Sequence, residues 1–126
     1  SGQGARWNSR NHFFAAAAEA MRRILVDSAR RKAALKHGGQ LARELINESE
    51  IATTAPPDEV LAVHEALDRL TVHDAVAAEL VKLHYFGGFS LEEAAPLLDL
   101  SRASAYRRWT YARTWLRAAL QNEADK

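Results

Sequence analysis

The sequence predicts an all-α protein, with one long N-terminal helix, a linker, and four helices in the C-terminal half. Three observations carry this. Apolar residues recur at spacings of three and four nearly everywhere, and few stretches alternate as a strand would. Only three prolines occur, two of them adjacent at Pro56-Pro57. The glycine pairs Gly38-Gly39 and Gly87-Gly88, with hydroxyl–x–x–acid pairs after them, mark helix stops and starts. No stretch approaches the roughly 18 consecutive apolar residues of a spanning helix. There are no cysteines, which excludes disulfides and thiolate metal sites.

The first helix is predicted over 11–36. Phe14, Ala17, Ala18, Met21, Leu25 and Ala29 form one apolar stripe, with Glu19, Arg23, Asp27 and Arg30 pointing the other way. A stripe this wide has to be covered, either by the C-terminal helices or by a second copy of the chain. Gly38-Gly39 stops the helix after a last turn rich in Lys and Arg. Residues 37–57 read as an acidic linker in which Leu41, Leu45 and Ile46 allow at most a short helical turn.

Pro56-Pro57-Asp58 opens the next helix, whose core positions are Val60, Val63, Leu67 and Leu70. Thr71 with Asp74 matches a capping box and is predicted to open a helix carrying Val76, Leu80 and Leu83. Ser90 with Glu93 is a second capping box, opening a short helix in which Pro96 predicts a kink or an early end. Ser101 caps the last helix, predicted to run to about residue 120 with Ala105, Trp109, Ala112 and Leu116 inward and 121–126 left as a tail.

The formal net charge of +1 conceals a strong pattern. Residues 11–43 carry seven basic and two acidic side chains, and 44–68 carry seven acidic and no basic ones. Residues 101–120 hold five arginines and no acid. Two cationic segments flanking an anionic middle suggest polyanion binding, because local field rather than total charge attracts a polyanion.

The decisive pattern is a short helix over 90–98, a tight turn at Asp99-Leu100-Ser101, and a second helix with arginines at its start. This is the layout of a helix-turn-helix, whose second helix enters the major groove. With the alanine–tryptophan stripe inward, Ala103, Arg107, Thr110 and Arg117 face outward, flanked by Ser104, Tyr106, Arg108 and Tyr111. Arg102 and Arg107 suit a guanine edge, Ser104 and Tyr106 are hydrogen-bonding neighbours, and Ala103 fits a thymine methyl. The amides capped by Ser101 favour a phosphate, and Arg108, Arg113 and Arg117 suit the backbone.

Enzymatic chemistry finds no support in the sequence. His12, His37, His64, His73 and His84 show no paired metal-ligand spacing, Glu92-Glu93 reads as a capping and solvated pair, and neither glycine pair belongs to a phosphate loop. Ser9 and Ser104 lack a base at any diagnostic spacing. No catalytic residue, metal or cofactor is expected. The polar start Ser1-Gly2-Gln3-Gly4 has no apolar signal core, so a cytoplasmic location is expected.

Two segments carry a family resemblance. Trp7-Asn8-Ser9-Arg10 and the run from His12 to Asp27 resemble bacterial sigma-70 factors of the extracytoplasmic-function (ECF) type. The run from Leu83 to Ala95 and that from Ala105 to Leu116 resemble region 4 of the same family. The resemblance implies a dissociable specificity subunit of RNA polymerase, with promoter DNA and core polymerase as partners and an anti-sigma factor as a further candidate. It implies a partial region 2 over 1–36, the linker over 37–57 and region 4 over 58–120. The minus-35 element would then be read by Ser101, Arg102, Ala103, Ser104, Tyr106, Arg107, Arg108 and Tyr111. The first helix would contribute to minus-10 recognition through Arg23, Arg30, Arg31 and Lys32. The family has more chain before Trp7, so the expectation is a fragment, a proteolysed product or a shortened factor that does not itself start transcription. Two rival readings are a dimeric helix-turn-helix regulator of operators and a shortened sigma-like module that sequesters a regulator. The acidic spacer favours the sigma reading over the operator binder, and self-association through the first helix stays open.

Overall fold

The computed structural model describes residues 2–35 and 55–124, and among them every element is helical. The predicted linker over 37–57 lies outside the described residues except at its end, as does the Gly38-Gly39 stop.

Helix α1 spans Gly2–Leu35. It begins well before the predicted start at Asn11, since no proline interrupts the preceding residues. Its inward arc holds Ala18, Val26 and Ala29, with Leu25 packed beside them. Met21, expected inward, is exposed, and Arg22 takes the inward place. The arc is centred on Ala18 and Ala29, whose small side chains let the neighbouring helix approach. Met21 falls beyond its edge. Arg22 can enter because its stem packs as hydrocarbon while its head finds partners. Its side chain is only 11% exposed. Phe13, at 67% exposure, and Ile24 lie on the opposite, open side.

Helix α2 spans Pro57–His73, with Pro57 in its first turn and Val60, Val63, Leu67 and Leu70 all buried, as the spacing predicts. Its end differs from expectation. Thr71 does not cap the next helix: its hydroxyl donates back to the Leu67 carbonyl at 2.9 Å, so α2 continues to His73. The cap is Asp74, which alone separates α2 from α3 (Ala75–Val81) and accepts from the Ala77 amide at 3.0 Å. The acid predicted for the third turn position is itself the cap.

After α3 the chain widens into a π-helical turn, Lys82–Phe86, which buries Leu83 and Phe86. The Gly87 amide donates to the Lys82 carbonyl at 2.9 Å and the Phe89 amide to the Leu83 carbonyl at 3.0 Å. A Cβ on Gly87 would lie 2.7 Å from the Leu83 carbonyl oxygen, and Gly88 has φ +76°, so both positions require glycine.

Helix α4 spans Leu91–Leu97 under a complete capping box. The Glu93 amide donates to Ser90 Oγ at 3.0 Å and the Ser90 amide to Glu93 Oε1 at 2.9 Å. Pro96 lies inside the helix, which ends at Leu97, within a residue of the predicted end at Leu98. Asp99 turns the chain with φ 58°, and the Leu100 amide donates to the Ala95 carbonyl at 2.9 Å. Helix α5, Arg102–Ala124, runs past the predicted end and takes up most of the expected tail.

Two apolar clusters hold these helices. The larger joins Val26 and Ala29 of α1 to Leu67 and Leu70 of α2, to Ala77, Ala78 and Val81, to Phe86, and to Ala112, Leu116 and Ala119 of α5. The smaller joins Ala18 to Leu80, Leu83, Leu91 and Ala94. Trp109 packs against both, its ring 4.5 Å edge-on from His84. Each fully buried Leu or Phe contributes about 1.5–3 kcal/mol. The C-terminal helices thus cover the inward side of α1.

Polar contacts fix the docking of α1. Arg22 Nε donates to His64 Nδ1 at 3.0 Å and Arg22 Nη2 to the His64 carbonyl at 3.2 Å. The same guanidinium lies 5.8 Å from the centre of the Phe86 ring. Lys82 Nζ bridges Glu19 at 2.9 Å and Glu79 at 3.0 Å. Burial would raise the Glu19 carboxyl, but Lys82 and Arg22 outweigh it and hold it below its usual value. Burial and the neighbouring Arg22 charge push the His64 imidazole below its ordinary 6.5.

Since Nδ1 must be unprotonated to accept from Arg22, the folded state binds a proton at His64 less readily than the unfolded state. Its contribution is therefore complete above pH 6.5 and is lost as pH falls through that value towards the lowered one. Arg22 and Arg30 favour the neutral ring, while Asp68 and Glu65 oppose them. Urea unfolding from pH 7.5 to 5.5 should show midpoints falling with pH in the wild type and a flatter profile in His64→Gln. Separately, Asp74→Ala should cost at least about 1–2 kcal/mol, through the lost cap together with the lost Arg108 pair. Asp74→Asn, which keeps an acceptor, should cost less, as read from thermal midpoints.

Candidate nucleic-acid interface

Helix α5 presents two unlike sides, and the difference begins in its sequence. Ala105 and Ala112 are fully buried and Leu116 nearly so, which turns Arg107, Thr110, Thr114 and Arg117 to solvent on the opposite side. The residues before the first turn are set by Ser101, whose Oγ accepts from the Ser104 amide at 3.1 Å. This cap fixes the direction in which α5 leaves the turn.

The sequence-predicted residues fall into three groups. Ser101, Ala103 and Arg107 are exposed, and Arg107 Nη2 donates to the neighbouring Ser104 Oγ at 3.1 Å. Arg102 and Tyr106 are drawn together by Glu92 of α4. Tyr106 Oη donates to Glu92 Oε1 at 2.5 Å, and Arg102 Nη2 lies 3.3 Å from the same oxygen. Arg102 also sits 5.7 Å over the Tyr106 ring. Arg108 stands apart. Its Nη1 donates to both Asp74 oxygens, at 2.8 and 2.7 Å, so part of its guanidinium ties α5 to the corner between α2 and α3. Tyr111 is exposed on the Arg107 flank.

On α1, Arg23, Arg30 and Arg31 are exposed and Lys32 is half-buried. Arg30 Nη1 lies 3.7 Å from Asp27. Salt screens such a surface pair and leaves the cation available.

The sequence reading missed Glu92 as a partner of α5 and Arg22 as the anchor of α1. Glu92 was legible as an N-terminal acid of α4, where the helix dipole favours a carboxylate. Nothing in the spacing revealed its reach across 14 residues to Tyr106. The Tyr106 hydroxyl, and then the local backbone, hold the Glu92 carboxyl below the usual range. Elsewhere burial, reinforced by Glu59, raises the Tyr85 phenol above its usual value.

Among the described residues, no three His, Asp or Glu side chains converge as a metal ion would require, and no helix is long and apolar enough to cross a membrane. What the arrangement offers is a row of hydrogen-bond donors and positive charge on one side of a rigid helix.

No curated protein and no solved structure matches the chain significantly. A family model does match, that of the ECF sigma factors, over residues 1–122. That span includes all of α1 and all but the last two residues of α5. With cationic helices at either end of the matched span, the chain belongs to the ECF sigma factors, subunits of the transcription machinery.

Proposed function

We propose that the chain recognises promoter DNA for RNA polymerase, with α4, the turn at Asp99 and α5 acting as a helix-turn-helix on the minus-35 element. One observation carries this reading: the arginine side of α5 is open, while its alanine and leucine side is buried. A major groove admits one helix, and residues near its N-terminal end reach base edges. Arg107, Arg102, Ala103, Ser104 and Tyr106 occupy that end. Arg108, with one nitrogen held by Asp74, keeps its remaining donors for a phosphate. Ser101 and the first amides of α5 meet a neighbouring phosphate, and Tyr111 lies further along the groove wall. On α1, Arg23, Arg30, Arg31 and Lys32 supply the positive charge for the minus-10 side of the promoter. Core polymerase is the partner that brings both helices to DNA, as family membership supports.

The test is binding of the full chain to duplexes selected from a randomised pool, followed by point variants. Arg107→Ala should cost about 1–3 kcal/mol and relax preference at one base pair. Arg117→Ala should weaken all sequences about equally and reduce the salt slope by about one. If Arg107→Ala leaves both affinity and base preference intact, the orientation of α5 is wrong.

A further inference from the structure

Glu92 is an anomaly on the face that would meet DNA. Its neighbour Glu93 is accounted for by the capping box. Glu92 takes no part in the cap. It is 46% exposed and reaches α5, where one carboxylate oxygen accepts from Tyr106 and pairs with Arg102. A negative charge beside a phosphate backbone lowers general affinity. Its effect has to lie elsewhere.

The geometry closes a triangle. Glu92 holds the Tyr106 hydroxyl at 2.5 Å and the Arg102 guanidinium at 3.3 Å, and Arg102 lies over the Tyr106 ring at 5.7 Å. An unrestrained arginine has many rotamers to lose on binding, and a group already held in place loses fewer. Two of the three corners belong to α5, and the third belongs to the helix before it. The contact therefore also ties the side chains of one helix to the other across the turn.

We propose that Glu92 is a positioning residue for sequence reading: it braces Arg102 and Tyr106 into one cluster at the start of α5 and so fixes which base pairs they discriminate. The inference rests on the promoter reading above. It separates two quantities that usually move together. Loss of the carboxylate removes a repulsive charge and leaves general DNA affinity equal or higher, while discrimination falls.

The experiment uses the full chain. Wild-type protein selects sequences from a randomised duplex pool. Fluorescence anisotropy then gives the Kd for a selected duplex and for its shuffled counterpart. Glu92→Gln should reduce the ratio of the two affinities by about five- to tenfold, with shuffled binding unchanged or tighter. In an R102A/Y106F background the same change should alter the ratio by less than about twofold, since there is nothing left to brace. Carboxyl carbon NMR on the DNA-free chain should show Glu92 titrating below the usual glutamate range and returning towards it in Tyr106→Phe. Circular dichroism confirms that each variant is folded. Equal tightening on both duplexes at a constant ratio would make Glu92 a plain surface charge and overturn the proposal. So would an undiminished effect in the R102A/Y106F background, which would mean that Glu92 reads a base itself, or an ordinary Glu92 titration in the wild type. A wild-type chain that selects no sequence overturns the promoter reading, and this role of Glu92 with it. A selecting wild type whose ratio survives Glu92→Gln overturns the inference alone.

Discussion

One side of α5 must be kept from water, and the rest of the molecule is arranged around that requirement. Ala105 and Ala112 are fully buried, with Leu116 and Ala119 close behind. Alanines at the contact let the helix lie close against α2, α3 and α4, and Trp109 fills the seam between the two apolar clusters. Once this side is committed, the helical repeat leaves no choice for the arginines. Arg107 and Arg117 stand opposite the buried stripe because their sequence positions put them there.

The cations of the chain then divide by what surrounds them. Arg22 and Lys82 serve the fold. Each is largely withdrawn from solvent and surrounded by acceptors from another element, and a buried charge is tolerated on that condition. Among the described residues, Arg107 and Arg117 have no such surroundings. Arg108 is intermediate, with one nitrogen committed to Asp74. Composition treats all five as equal positive charges, yet only some can neutralise a phosphate without first giving up a contact.

Much of this was legible in the residues. Ser90 with Glu93, Ser101 as a cap, the core positions of α2 and the inward stripe of α5 all follow from spacing, because each is a local rule satisfied within one or two turns. The errors came where two local rules competed or where a contact was distant. Thr71 and Asp74 satisfy the capping-box pattern, but a carboxylate can cap as well as a hydroxyl, and Thr71 instead bonds back within its own helix. Arg22 and Arg23 are identical neighbours, and only the phase of α1 against α2 decides which of them turns inward. The links from Glu92 to Tyr106 and from Asp74 to Arg108 join positions 14 and 34 residues apart, and no periodicity reports such a distance.

The corner at Asp74 has a mechanical consequence. A joint of one residue has no slack, so α2 and α3 cannot shift independently there. Arg108 ties α5 to that same joint, and α1 packs along α2. A displacement of the last helix at Arg108 is therefore felt by both α2 and α3, with no loop between them to absorb it.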